Sequence, residues 1–144
     1  RGVLETVKKL RWTPDIIHCQ GWMSAVIPFY VKTAYKDEPQ FAGSKVVTSL
    51  FAEQPQGSLG TNFKHCLEFR EAKEKCLKKY GDNFDFMELG KLAIDYSDGI
   101  IRTSDKASTA LVDYARDNAK PLLEHSIDDA GLKEKYSEFY SRLL

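Results

Sequence analysis

The stretch Thr13-Pro14-Asp15-Ile16-Ile17-His18-Cys19-Gln20-Gly21-Trp22 decides the fold. Proline disfavours helix in the residue before it, and the β-branched pair that follows belongs to a buried strand over residues 15–20. A helix is expected directly afterwards, from Trp22 to Tyr35. Met23, Ala25, Val26, Ile27, Phe29, Tyr30, Val31 and Ala34 leave it few polar positions, so it is covered on most sides. Pro28 either kinks it or sits in its first turns. A buried strand that passes straight into a buried helix is the unit from which parallel α/β sheets are built.

Outward from this unit the pattern recurs. Lys45-Val46-Val47-Thr48-Ser49-Leu50-Phe51 is β-branched and continuous rather than alternating, as in a strand covered on both faces. Residues 52–61 lack periodicity and are rich in Gln, Gly, Ser and Pro, which marks a long loop of the kind that carries function. Phe63, Cys66, Phe69, Cys76, Leu77 and Tyr80 fall near helical spacing, with Gly81-Asp82-Asn83 as the stop. Phe86, Leu89, Ala93 and Tyr96 predict another helix. Ile100-Ile101-Arg102-Thr103 predicts a third strand, with Ser104 as N-cap of a helix carrying Ala107, Leu111, Tyr114 and Ala115. From Asp129 to Leu144 one stripe of Leu132, Tyr136, Phe139, Tyr140 and Leu143 predicts a closing amphipathic helix. This order predicts an α/β fold, a three-layer parallel sheet with right-handed crossovers and helices on both faces. Three strands are few for such a sheet, and the first residue is Arg1, so 1–144 is expected to be a single partial domain with further strands upstream.

The totals exclude several function classes. Basic and acidic residues number 21 each, giving no electrostatic footprint for nucleic acid or an acidic membrane. No apolar run approaches the roughly 20 residues that span a bilayer. Cys19, Cys66 and Cys76 lack the paired spacing of a zinc site or redox motif, and fit a reducing cytoplasm as buried apolar side chains. Neither metal nor cofactor is expected: His65 and His125 stand on polar surface with no ligand spacing.

Ligands in open parallel sheets bind beyond the carboxyl ends of the strands. That rule selects His18, Gln20, Gly21 and Trp22 after the first strand, Ser49 to Gln54 after the second, and Thr103, Ser104 and Asp105 after the third. Gly21 before a helix lets a ligand approach backbone N–H groups, although a tight turn needs the same glycine. Gly57-Ser58-Leu59-Gly60 lacks the strand and Lys-Ser/Thr ending of a phosphate loop. His18 and Cys19 point to opposite faces by strand alternation and cannot form a nucleophile–base pair.

Trp12-Thr13-Pro14-Asp15-Ile16-Ile17-His18-Cys19-Gln20-Gly21-Trp22 with Ala25-Val26-Ile27-Pro28-Phe29-Tyr30 resembles the W-x-P-D-hydrophobic-hydrophobic-H-x-H-D-W…A-L-V-P-x-Y segment of bacterial glycogen and starch synthases. Lys91, Tyr96, Asp98 and Ser104 fall as in that family's L-K-x-G-I-x-Y-A-D-x-V-x-T-V-S entry into a strand. The resemblance implies a GT-B glycosyltransferase of two Rossmann-like domains, of which this chain is the second half of the N-terminal, acceptor-side domain. It implies an α-1,4-glucan acceptor, an ADP- or UDP-glucose donor, and substrate contacts from His18, Gln20, Gly21, Trp22 and Ser104; it leaves the catalytic residues unknown. Two departures stand out. Gly21 replaces the carboxylate of the H-D-W triplet, and Thr48-Ser49-Leu50-Phe51-Ala52 has no counterpart of the T-V-H-N-L histidine. A non-catalytic carbohydrate-binding or scaffold homologue is therefore the alternative reading. An open sheet edge also leads to an expectation of self-association.

Overall fold

The computed structural model describes residues 1–50, 52, 56–124 and 130–144. Four strands, β1 (Ile16–Gln20), β2 (Lys45–Leu50), β3 (Gly99–Arg102) and β4 (Leu122–Glu124), form one sheet in that order, every pair parallel. Six α-helices accompany them among the described residues: α1 (Gly2–Lys9), α2 (Ile27–Lys32), α3 (Phe63–Leu67), α4 (Phe86–Asp95), α5 (Thr109–Asp117) and α6 (Leu132–Leu143). The expected Rossmann-like α/β architecture is thus present, with Gln20 beside Ser49 and Ser49 beside Ile101 at the carboxyl ends.

Alternation in β2 sends Val46, Thr48 and Leu50 to one face and Val47 and Ser49 to the other. The first face packs on most of the helical layer: Val46 and Cys19 join Phe29, Tyr35, Leu89 and Leu92, and Leu50 joins Ile100, Leu111 and Val112. The second face is covered by α6, where Phe139 lies on Val47 and Ile101, with Tyr136, Tyr140 and Leu143 around it. Gly99 lets this helix settle close: a Cβ there would stand 2.8 Å from Leu143 Cδ1 and 3.0 Å from Phe139 Cζ.

Several local expectations need correction. A fourth strand, β4, joins the three read from the sequence; its two leucines are too short a run to signal a strand, and pairing with β3 creates it. The helix expected from Trp22 begins as a 3-10 turn (Trp22–Ser24), and Pro28 sits in the first turn of α2, where its missing N–H costs nothing. No continuous helix runs from Phe63 to Tyr80. Glu68 is extended, Arg70 takes a positive φ of 51°, Phe69 bridges Ala72, and a separate 3-10 turn follows at Glu74–Leu77.

Ser108, not Ser104, caps α5, accepting from the Leu111 N–H at 3.4 Å. The chain cannot begin the helix at 104, because Arg102 binds the carbonyls of Ser104 and Asp105 and holds a turn there. Phe51, Glu53, Gln54, Pro55, His125 and Asp129, which figured in the expectations, lie outside the described residues.

Only one of the three thiols is buried. Burial pushes the Cys19 thiol up to about 12 and Cys76 packs partly buried against the same core, whereas Cys66 is exposed, against the expectation that all three are buried apolar side chains. Native protein treated with iodoacetamide at neutral pH is expected to alkylate at Cys66 first and at Cys19 only after denaturation, because thiolate and access are both required. Peptide mapping that finds Cys19 modified as fast as Cys66 would contradict the burial of β1.

Candidate functional site

At the carboxyl end of β1 the backbone turns through Gly21, with φ 78° and ψ 158°. This is a conformation that side-chain-bearing residues rarely adopt, so the glycine is required by the turn itself. Ser24 fixes the turn by donating one hydroxyl to the carbonyls of Gln20 and Gly21, at 2.9 and 2.8 Å. The turn presents Trp22, whose indole is 45% exposed and stands edge-on to Phe86 at 5.4 Å between centroids.

Beside that indole lies a small cavity of about 50 Å³. Gly21, Trp22 and Ala25 form one wall, Thr48, Ser49 and Leu50 the strand ends, and Phe86, Leu89, Gly90, Ala93 and Leu111 the helical side. None of these residues carries an ionisable side chain. The space admits a hydroxymethyl group or a few waters, and falls short of the roughly 300 Å³ at which small-molecule pockets begin. What the surface offers a ligand is an exposed indole face, backbone groups at a glycine turn, and little room for enclosure. Flat sugar faces stack on such aromatics, through apolar C–H contact on one side and hydroxyls kept in water on the other.

The five residues expected at the site do not gather in one place. Gly21 and Trp22 line the cavity. His18 and Gln20 instead flank a larger groove of about 450 Å³ along the outer edge of β1, walled by apolar side chains such as Leu4, Val7, Ile17 and Phe41. Ser104 is apart from both; its hydroxyl accepts from the Lys106 N–H at 3.2 Å. Phe86 was missed in the sequence, where its helical spacing marked it only as core.

His18 is the most constrained of the group. Its Nε2 is 2.6 Å from the Ser49 hydroxyl and its Nδ1 is 2.6 Å from the Tyr140 hydroxyl, so both ring nitrogens are engaged on the α6 face. Burial holds its pKa below the ordinary histidine value. Cys19, its neighbour, points into the opposite core as alternation requires. His65 pairs with Glu68 at 3.0 Å on the surface.

Among the described residues no group of three His, Cys, Asp or Glu side chains could hold a metal ion. Nor is any helix of the described residues long and apolar enough to cross a membrane.

The chain is 32% identical to the glycogen synthase of Clostridium perfringens (strain 13 / Type A) over 131 residues, which is 89% of the chain and 25% of that protein. Similarity to the glycogen synthase of Desulforudis audaxviator (strain MP104C) reaches 28% over 142 residues, 97% of the chain and 26% of the relative. A shorter segment of 58 residues is 47% identical to the glycogen synthase of Chlorobium luteolum (strain DSM 273 / BCRC 81028 / 2530), covering 40% of the chain and 12% of the relative. The chain spans about a quarter of the length of the first two relatives. No solved structure matches. The family model described as the starch synthase catalytic domain matches residues 1–128, which takes in all four strands and the Trp22 cleft, and the chain belongs to that family.

Proposed function

We propose that this chain forms the acceptor-side part of a glycogen or starch synthase, a domain portion that meets an α-1,4-glucan while glucose is transferred to it from ADP- or UDP-glucose. The observation that carries this reading is the exposed Trp22 indole, held on its glycine turn at the carboxyl end of β1 beside the strand-end cavity. In this assignment Trp22 stacks on a glucose ring and Gly21 lets a sugar hydroxyl reach the backbone. Gln20 is assigned to the neighbouring β1-edge groove, and Ser104, apart from both, is given no contact in this assignment. His18 acts from beneath the sheet, through the Ser49 hydroxyl, rather than by direct contact. The donor nucleotide requires a second, phosphate-binding surface, since the cleft has no cation to meet a pyrophosphate.

A second reading has its own support. The cleft contains no ionisable side chain, and Gly21 and Leu50 stand where a carboxylate and a histidine would be expected in the family. A carbohydrate-binding homologue without transferase chemistry would look the same at this surface.

Calorimetric titration of the intact gene product with maltooligosaccharides, and then with ADP- and UDP-glucose, separates the two. Donor binding followed by glucan extension in the same tube is the result expected of a synthase. Glucan binding with no donor affinity would give the carbohydrate-binding reading the better claim, and absence of both would sink the assignment of the cleft.

A further inference from the structure

The second face of the sheet is closed by α6, and a partly buried imidazole sits at the join. Tyr140 on α6 meets His18 Nδ1 at 2.6 Å, while Nε2 meets Ser49 of β2 at 2.6 Å. The ring also lies edge-on to both Tyr136 and Tyr140, with centroids 5.8 Å away in each case. We propose that the Tyr140–His18–Ser49 chain is a pH-sensitive latch, which holds α6 on the sheet while the imidazole is neutral and loosens it when the imidazole is protonated.

The reason lies in what a neutral ring can do and a charged one cannot. Neutral imidazole has one N–H donor and one acceptor nitrogen, so one of the two hydroxyls donates to it and the other accepts from it. After protonation both nitrogens donate, and the hydroxyl that had donated must turn its hydrogen elsewhere in a half-buried site. Among the described residues no carboxylate stands against the ring to offset the charge. Described groups that face the ring are the Tyr136 and Tyr140 phenols from α6 and the Ser49 hydroxyl from β2, none of them anionic near neutral pH. On β1 the Cys19 thiol turns to the other face. On α1, Glu5 is bonded to Tyr35 and Lys8 to Glu38.

Burial keeps the docked His18 pKa below its ordinary value, so an undocked ring binds protons more readily. Docking is therefore undiminished above the free histidine range, near pH 6.5, and weakens as pH falls from there toward the docked pKa. One proton is involved, so the docking constant changes by up to about tenfold per pH unit across that interval.

Native-state hydrogen exchange between pH 7.5 and 5, corrected for intrinsic rates, tests the latch with the chain as it stands. The amides of α6 are expected to lose protection by up to about tenfold per pH unit while those of β2 and β3 hold theirs. In His18→Gln, whose amide donates and accepts without titrating, α6 protection is expected to be independent of pH. Protection of α6 that tracks the sheet at every pH, or an unchanged slope in His18→Gln, would overturn the proposal. Should that variant fail to fold, the wild-type His18 ring followed by NMR decides: titration at or above the free histidine value would rule the latch out.

Discussion

Replacing Phe139 with alanine is expected to destabilise the fold by about 3–5 kcal/mol, the cost of deleting a buried phenyl ring from a close-packed site. The ring is only 2% exposed and rests on Val47 and Ile101, the two fully buried side chains of the second sheet face. On the other face α2, α4 and α5 share the load, and the loss of one side chain there leaves neighbours to close the gap. Here α6 supplies the cover, and Gly99 already brings it as near as the backbone allows. With domain stabilities of about 5–15 kcal/mol, the loss removes roughly a fifth or more of the total. Thermal melting of Phe139→Ala is expected to fall by roughly 10–20 °C. A shift of a degree or two would mean that α6 contributes little to the sheet, and would remove the seat on which the His18 latch depends.

Trp22→Ala has a large effect of another kind. Nearly half exposed, with Phe86 as its aromatic contact, the indole is expected to contribute about 1 kcal/mol or less to folding. Its loss from glucan binding is expected to be tenfold or more, since one aromatic platform supplies most of the apolar contact in a cleft too small to enclose a sugar. The chain alone should bind maltoheptaose with a Kd on the order of millimolar, typical of a shallow, open surface. Trp22→Phe, which keeps a smaller ring, is expected to fall between wild type and Trp22→Ala. Equal affinities in all three proteins would detach Trp22 from glucan recognition, whatever the family.

The fold was legible where physical signals were strong and local. Val46-Val47-Thr48 and Ile100-Ile101 read as strands because continuous β-branched runs suit a sheet covered on both faces, and both are fully buried central strands. Leu122–Glu124 escaped notice because three residues carry no period, and its strand state comes from the neighbouring β3. Helical spacing over Phe63–Tyr80 misled because these residues fill one core from a series of turns, so burial imposed a spacing that no single helix supports. Ser104 and Ser108 are equally good caps in isolation, and the choice between them depends on Arg102, whose guanidinium reach is invisible in the sequence.

The site followed the same division. Strand-end geometry selected Gly21 and Trp22, which lie together, because both follow directly from where a parallel strand stops. The same rule and the family resemblance also selected His18 and Gln20, which the structure sets on the β1-edge groove instead. The alternation that separates His18 from Cys19 also turns its ring beneath the sheet, toward a helix more than a hundred residues further along. Only the packed fold brings Tyr140 to that ring.

The most direct test of the central claim is an NMR titration of the isotopically labelled chain with maltoheptaose, following the Trp22 indole N–H and the Gly21 amide. The account predicts that these two signals shift together and saturably, with the signals of Phe86 and Ala25 moving less and those of α6 not at all. Shifts confined to the β1-edge groove around Val7 and Phe41, or none at any glucan concentration, would contradict it.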